Sequence, residues 1–256
     1  MLPQYSVPAP RPKIVRELAL ITVLYALYRF GRLLANGNVA EAFANAAKVW
    51  DWERGLRLPS ETTVQAVLLY HDAWPKLANI FYTGVHFPAT IVFLIWMFRM
   101  HPAHYVWVRR TLTLLTAAGL VLHLAFPLAP PRMVPSFGLV DTGRLVGPSP
   151  YGDVETGGLA NQFAAMPSLH VGWALVVAIG LIAVGRSRWR WLWLAHPLLT
   201  VFVVVATANH YWLDGIIVFA LLTAILLLLP APGRAGLVTQ VREARAAGTP
   251  RALRSP

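Results

Sequence analysis

Two histidines and an aspartate, each close to the start of an apolar stretch, are the residues of this 256-residue chain best suited to carry chemistry. His170 opens one apolar run, and His210 and Asp214 open another forty residues later. Residues four apart share one face of a helix, so the spacing predicts that His210 and Asp214 are in contact. A carboxylate that holds an imidazole in this way is typical of an activated nucleophile.

The residues just before His170 add a feature that binds anions. Pro167 followed by Ser168 is typical of a helix N-terminus, where unpaired backbone N–H groups and the positive end of the helix dipole attract negative charge. Two histidines, a carboxylate and such a helix start are the parts that phosphoryl transfer through a phosphohistidine requires. The rest of the chain must bring these parts together.

The composition indicates a membrane protein. Hydrophobic residues make up 57% of the chain and charged residues 13%, against about 25% charged in ordinary soluble domains. Ten tryptophans and eight tyrosines suit aromatic belts at the membrane surfaces. The chain has no cysteine, which excludes disulfides, thiol chemistry and cysteine metal sites.

The hydrophobic pattern predicts an all-α membrane protein, a bundle of six transmembrane helices with interfacial helices in the outer loops. Six stretches are long and apolar enough to cross about 30 Å of hydrocarbon. They are Leu18–Leu34, Asn79–Phe98, Thr111–Leu128, Ser168–Gly185, Trp191–Ala208 and Tyr211–Leu229. The bundle forms one domain over 14–230, with a cytoplasmic leader at 1–13 and a basic, disordered cytoplasmic tail at 231–256.

The distribution of the +11 net charge sets the orientation and argues against a nucleic-acid surface. Basic residues concentrate in the leader, in 99–110, in 186–190 and in the tail, which share one side if six spans alternate. The loops 35–78 and 129–167 hold six basic and eight acidic residues. Positive charge marks the cytoplasmic side, so both termini are predicted in the cytoplasm and the histidine site on the extracytoplasmic face of an integral membrane protein.

Several polar residues near the outer ends of the spans have two interpretations. They either line a cavity for a substrate head group or tie helices together through hydrogen bonds, since polar groups inside a membrane turn toward the bundle interior. These residues are Asn79, Tyr82, His86, His123 and Asn209. The amphipathic loop 35–78 is predicted to lie on the outer leaflet as a lid.

Arg132 is the strongest candidate for a phosphate-binding cation. It follows three prolines that end the third span, which holds it near the membrane surface, and a guanidinium grips phosphate through two hydrogen bonds. The alternative is an interfacial arginine that meets lipid head groups. Asp141, Asp153 and Glu155 in the following loop are interpreted as solvated charges.

Taken together, these motifs resemble those of a known family. Pro130–Arg132, Pro167–His170 and His210-x-x-x-Asp214 resemble the three motifs of the type 2 phosphatidic acid phosphatase (PAP2) superfamily. Leu169 and Tyr211 resemble its inositol phosphorylceramide synthase branch. The resemblance extends over roughly 14–230 and implies a membrane enzyme that acts on lipid phosphates.

The chain also departs from the family pattern. Met133 follows the arginine where the family has proline, and Val203 and Val204 stand where it has a serine–arginine pair. At least one phosphate-binding cation of the family is therefore missing. The candidates to replace it are His86, His123 and Asn209.

The resemblance implies a role for each motif residue. His210 attacks phosphorus while Asp214 holds its tautomer, and His170 protonates the leaving oxygen and then activates the acceptor. The residues expected to hold the phosphoryl oxygens are Arg132, Ser168 and Leu169. The mechanism requires no metal and no cofactor, and Arg132 would repel a zinc ion bound by the histidines.

The motifs leave the acceptor open. An alcohol acceptor makes the chain an inositol phosphotransferase-like enzyme, which Leu169 and Tyr211 favour, and water makes it a lipid phosphate phosphatase acting on phosphatidic acid or a polyprenyl phosphate. The expected partners are a lipid substrate from the membrane and a polyol acceptor. A proton-coupled transporter that uses the two histidines and Asp214 as a relay is a distant alternative, because its motifs should lie near the midplane rather than at span ends. A purely structural role for these residues is weaker still.

Overall fold

A computed structural model describes residues 39–148 and 163–232, together with short stretches between 13 and 26. Within these residues the regular elements are all helical, and the one β feature is an isolated bridge between Leu128 and Ala164. The all-α prediction is confirmed for this part of the chain. The predicted leader and tail lie almost entirely outside the described residues.

Two helices form the loop that precedes the first long apolar helix. Helix α1 spans Val39–Gly55 and α2 spans Glu61–Leu69. Helix α1 buries Ala42, Ala46 and Val49, a spacing of four and three that gives it one inward face. The prediction of helices in this loop is confirmed, and their packing ties them to the rest of the chain.

The remaining helices form the apolar bundle. Helix α3 spans Ala73–Met100 and contains a π-helical segment, Phe81–Val85; α4 spans Pro102–Ala125. A short helix α5, Thr142–Val146, lies in the following loop. Helix α6 spans Leu169–Val184, a 3₁₀ segment Arg188–Leu194 leads into α7, Ala195–Ala206, and α8 spans Trp212–Leu228.

The predicted count of six spans is not confirmed. In the described residues three helical segments are long and apolar enough to cross a membrane: α3, α4 and Arg188–Ala206. Helices α6 and α8 coincide with predicted spans and are apolar, but their 16 and 17 residues give lengths of about 24–26 Å. Most of the predicted span Leu18–Leu34 lies outside the described residues. The apolar helices make the chain an integral membrane protein.

Glycines allow α6 to approach its neighbours closely. A Cβ on Gly172 of α6 would lie 2.6 Å from Val218 of α8, and one on Gly119 of α4 would lie 2.7 Å from Leu169. Either contact is too short for a side chain, so α4, α6 and α8 pack with their backbones close together. The side chain of Leu169, expected near phosphate, therefore packs between helices.

The two ends of α4 face different surroundings. Near its beginning, Tyr105 donates a hydrogen bond to Glu17 (2.8 Å) and Arg109 pairs with the same carboxylate. Near its end, His123 contacts the residue before Ser168. Fourteen residues, or about 21 Å, separate Arg109 from His123, so the histidine motifs lie at the end of the bundle away from this ion pair.

Candidate active site

Three segments meet at the end of the bundle where α6 and α8 begin. They are the loop after α4, the residues before α6 and the turn between α7 and α8. Backbone hydrogen bonds join them: Leu128 N to Phe163 O (2.8 Å), Arg132 N to Ala208 O (2.9 Å) and Ser168 N to Asp214 O (3.2 Å). The three motifs that are distant in sequence are therefore held together by main-chain contacts.

The central pair is His210 and Asp214. The Nδ1 atom of His210 lies 3.0 Å from Asp214 Oδ2 and 2.9 Å from the carbonyl oxygen of Ala165. A carbonyl oxygen only accepts hydrogen bonds, so Nδ1 must carry the proton. Nε2 of the neutral ring then has its lone pair available, which is the tautomer that a nucleophilic imidazole needs.

The contact between His210 and Asp214 is confirmed, but the predicted reason for it is wrong. His210 lies two residues before α8 begins at Trp212, so the pair does not share a helix face. Instead, Asp214 in the first turn of α8 accepts a hydrogen bond from the backbone N–H of Tyr211 (2.9 Å) through the same Oδ2 atom. The fully buried carboxyl group thus caps its own helix and reaches back to the histidine.

A strained turn places His210 opposite the other segments. The backbone N–H groups of Asn209 and His210 both donate to Val204 O, at 3.0 and 3.1 Å. Ala208 between them and α7 has φ 55°, a left-handed conformation that costs a non-glycine residue about 1–2 kcal/mol. The turn ends α7 abruptly and directs His210 toward Ala165.

His170 faces this pair from the start of α6. A helix N-terminus was predicted at Pro167 and Ser168, and α6 does begin there: Ser168 is its N-cap, and its Oγ accepts from Val171 N (3.5 Å). The centroid of the His170 ring lies 6.1 Å from that of His210 and 4.2 Å from that of Tyr82, which stacks on it at 21°. Tyr82, predicted to line a head-group cavity, therefore fixes the orientation of His170.

His86 lies behind His170 in the bundle. Its ring centroid is 4.9 Å from that of His170, and only 1% of the residue is exposed. Neither of its ring nitrogens has a hydrogen-bond partner among the described residues. His86 is thus a predicted cavity residue with both ring nitrogens available next to His170.

Arg132 is held by two side chains. Its Nε donates to Asn209 Oδ1 (2.9 Å), and its Nη1 lies 3.4 Å from Asp141 Oδ2. Its side chain is only 4% exposed. The interpretation of Asp141 as a solvated charge is wrong, because it pairs with Arg132 and also caps α5 through Arg144 N. Asp153 and Glu155 lie outside the described residues.

Two other residues predicted for the cavity make structural hydrogen bonds. Asn79 donates to the carbonyl oxygens of Thr142 (2.9 Å) and Gly147 (3.2 Å), which fixes the α5 loop on α3. His123 lies 3.1 Å from Pro167 O and donates to it, since the carbonyl only accepts. Asn209 positions Arg132, as described above. These contacts agree with the alternative interpretation, in which the polar residues hold parts of the bundle together through hydrogen bonds.

The positions of the missing family cation are part of the core. Val203 and Val204 are 4% and 2% exposed, and Val204 contributes its carbonyl to the turn before His210. Their side chains pack in the apolar core cluster. With both of these positions apolar, Arg132, which Asn209 holds next to His210, is the arginine that the three motifs supply at this end of the bundle.

Glu53 is a residue of this region that the sequence did not predict. Its Oε1 accepts a hydrogen bond from the backbone N–H of Leu213 (2.8 Å), in the first turn of α8. The Glu53 carboxyl also faces Glu61, whose Oε2 is paired with Arg54 at 2.5 Å. Burial, together with a hydrogen bond to Glu61, raises the pKa of Glu53 from 4.5 to about 9. An acidic residue in a tryptophan-rich segment gave no signal of this contact.

The fold and the site define a helical membrane protein whose buried histidine–aspartate pair faces a second histidine at a helix N-terminus. The chain belongs to the PAP2 superfamily, since the model of that family matches residues 47–228. The resemblance inferred from the motifs is confirmed. The matched region includes α2 through α8 and all of the residues that form the site.

A curated relative supports the same assignment. The chain is 29% identical over 159 residues to the inositol phosphorylceramide synthase catalytic subunit aur1 of Schizosaccharomyces pombe. The match covers 56% of this chain and 37% of that protein, so this chain corresponds to less than half of its relative. No solved structure matches the chain.

Proposed function

We propose that this protein is a membrane phosphotransferase that takes a phosphoryl or phospho-head-group unit from a lipid phosphate or phospholipid and passes it, through a phosphohistidine at His210, to an alcohol acceptor. The observation that carries the proposal is the pair of acceptors around His210 Nδ1, namely Asp214 Oδ2 and Ala165 O. They leave Nε2 as the nucleophilic atom. Membership of the PAP2 superfamily and the name of the curated relative support a lipid phosphate as donor.

In the first step, Nε2 of His210 attacks phosphorus and the bond to the lipid oxygen breaks. His170, whose ring is 6.1 Å away, gives a proton to the leaving oxygen as general acid. The imidazolium form of His210 is stabilised by Asp214. A ring separation of this size lets one phosphoryl group approach both histidines at reacting distances of about 3–3.5 Å.

In the second step, His170 takes a proton from the acceptor hydroxyl, whose oxygen attacks phosphorus and releases Nε2 of His210. Arg132 and the N–H groups at the start of α6 hold the phosphoryl oxygens in both steps, where preorganised donors stabilise the growing negative charge. The residues proposed to contribute to this anion site are Arg132, Ser168 and Leu169.

The molecule that accepts the phosphoryl unit in the second step determines which of two reactions takes place, and both share the same first step. An inositol or other alcohol hydroxyl gives a phosphotransferase, and the name of the curated relative, a synthase of a phosphorylated lipid, favours transfer over hydrolysis without naming the acceptor. Water gives a lipid phosphate phosphatase acting on phosphatidic acid or a polyprenyl phosphate. We propose the alcohol acceptor as the principal reaction and hydrolysis as the alternative.

We base the proposed orientation of the site in the membrane on the distribution of positive charge. Arg186 and Arg188 follow the end of α6 that is opposite His170, and positive loops face the cytoplasm. We propose that the site opens on the extracytoplasmic face, where it meets lipids of the outer leaflet.

The test is product analysis with purified protein in detergent, using a phospholipid labelled in its phosphate, with and without inositol. Labelled phosphopolyol or a labelled new lipid is the expected product, and inorganic phosphate appears if water is the acceptor. His210→Ala and His170→Ala should each abolish turnover. His101→Ala, in the turn between α3 and α4, is the matched control and should remain active. Wild-type rates in either site variant would overturn the proposal.

A further inference from the structure

An apolar groove of about 230 Å³ lies between α6, α7 and α8. Each helix contributes residues to its wall, and these are exclusively apolar. Those that matter here are Val171 and Leu175 from α6, Leu198 and Val201 from α7, and Gly215 and Phe219 from α8. The pairs from α6 and α8 are four residues apart, so the groove follows one face of each helix for more than a turn.

One end of the groove adjoins the candidate active site. Val171 directly follows His170, and Gly215 directly follows Asp214. Both lie in the first turn of their helices. A molecule that lies in the groove therefore contacts the residues that directly follow His170 and Asp214.

Gly215 keeps this end of the groove open. A Cβ on Gly215 would meet no atom within 4 Å, whereas one on Gly172 would meet Val218 at 2.6 Å. The close packing of α6 against α8 therefore requires a residue without a side chain at position 172, but it does not require one at position 215. Glycine inside a helix costs about 1 kcal/mol relative to alanine, and what it provides here is space beside Asp214.

The side of the groove away from the site opens to the outside of the bundle. Leu198 and Phe219 are 69% and 60% exposed, and they belong to apolar helices whose outer surface meets lipid. The groove is thus a lateral recess that runs from the membrane-facing surface to the start of α6 and α8.

We propose that this groove binds an alkyl chain of the lipid substrate while its phosphate lies at the histidine site. This inference rests on the proposed function and adds a binding site for the apolar part of the substrate. The occupant is a substrate chain because the groove is purely apolar, has exposed residues on its outer side, and is lined at one end by the residues that follow His170 and Asp214. Lipid tails are as apolar as leucine, so the groove gains little from hydrophobic transfer and acts mainly by aligning the phosphate with His210.

The first test fills the groove and compares two substrates. Leu198→Trp and Gly215→Leu place new atoms in it, and Leu199→Trp, on the neighbouring exposed leucine of α7, adds the same bulk outside it. For a long-chain phosphatidic acid in mixed micelles, the first two variants should lower kcat/KM about tenfold. For a short-chain, water-soluble phosphatidic acid, they should match the wild type, as should Leu199→Trp with both substrates. An equal loss on both substrates, or an equal loss in Leu199→Trp, would overturn the groove assignment.

The second test does not depend on turnover. A long-chain phosphatidic acid with a photoreactive diazirine near the end of its chain should label peptides that contain Leu198 or Phe219. Unlabelled phosphatidic acid should compete with this labelling more strongly than diacylglycerol with the same chains. Equal competition would mean that the groove holds ordinary bilayer lipid, which contradicts the inference. If the labelling is selective but neither substrate turns over, the groove stands and the proposed chemistry fails.

Discussion

The carboxyl oxygen Oε1 of Glu53 accepts a hydrogen bond of 2.8 Å from the backbone N–H of Leu213, 160 residues further along the chain. Leu213 precedes Asp214 in the first turn of α8, whose N–H groups have no partner within the helix. Helix α1, in the loop before the bundle, thereby fixes the helix start that carries the histidine partner. Asn45 of α1 also donates to Pro127 O (3.0 Å), so α1 connects two of the three site segments as a scaffold.

The first prediction concerns the acceptor at position 53. Glu53→Ala leaves the partly buried Leu213 N–H without its partner, at a cost toward the lower end of about 1–3 kcal/mol, and should lower both kcat and the melting temperature. Glu53→Gln retains an acceptor oxygen and should restore most of kcat. Asp51→Ala, an exposed position on the same helix, should leave both unchanged. Equal activity of the alanine and glutamine variants would show that this hydrogen bond does not position Asp214.

The second prediction concerns pH. Because the pKa of Glu53 is raised from 4.5 to about 9, the folded protein keeps a proton that the unfolded chain releases between these values. The free energy of unfolding should therefore fall as pH rises through this window. The charged groups that face Glu53 are Arg54, Glu61 and Asp214.

Thermal unfolding in detergent from pH 5 to pH 9 measures this effect. Glu53→Gln cannot release the proton, so its melting temperature should decline less with rising pH than that of the wild type. Asp51→Asn, on the same helix, should follow the wild type. A parallel decline in Glu53→Gln would assign the pH dependence to other groups.

The third prediction concerns Arg132. Its Nε donates to Asn209 Oδ1 (2.9 Å), and removal of this partner frees the guanidinium to turn toward Asp141. Asn209→Ala should raise KM for a lipid phosphate about tenfold, since a hydrogen bond to a charged group contributes about 1.5–3 kcal/mol. Arg132→Lys should do at least as much, because it loses the forked geometry. The control is Lys76→Ala, an exposed basic position near the start of α3. A KM increase there equal to that of Asn209→Ala would contradict a specific role for the contact between Asn209 and Arg132.

The fourth prediction concerns the side of the membrane. The chain has no cysteine, so a thiol reagent will react only with the single cysteine that is introduced. A cysteine at Arg144, in α5 near the site, should react in intact cells with a thiol reagent that does not cross the membrane. One at exposed Ser187, after α6, should react only after the membrane is opened. The reverse pattern would place the site on the cytoplasmic face and exclude an outer-leaflet substrate.

The parts of the site that depend on local sequence could be predicted. The helix N-terminus at Pro167 and Ser168 follows from residue type. The contact between His210 and Asp214 was expected from their spacing, although it forms through the cap of α8 and not along a helix face. The family followed from three motifs that lie up to about eighty residues apart. The apolar stretches located α3, α4, α6, α7 and α8. The ends of α6 and α8 differ from the prediction by one residue, whereas α4 begins nine residues earlier than predicted.

Long-range contacts could not be predicted, since no short-range pattern encodes them. Glu53 accepts a hydrogen bond from Leu213, although the sequence predicted that its helix lies on the outer leaflet as a lid. Asp141 pairs with Arg132 because the loop that carries it folds back over α3. The six-span count depended on the length and apolar character of each stretch. Helices α6 and α8 begin and end one residue inside their predicted spans, which leaves them 16 and 17 residues long.

The most direct test of the account is chemical trapping of the phosphorylated enzyme. His170→Ala is given a substrate that is labelled in its phosphate and carries a good leaving group such as p-nitrophenol. After rapid quenching, the protein should carry acid-labile, base-stable label. The first step tolerates the loss of the general acid because the leaving group is good, whereas the second step fails because the acceptor is no longer activated. Mass spectrometry should locate the phosphate on His210, and the His170→Ala, His210→Ala double variant should remain unlabelled. Label on another residue, or p-nitrophenol release by His210→Ala at the wild-type rate, would contradict a phosphohistidine at His210.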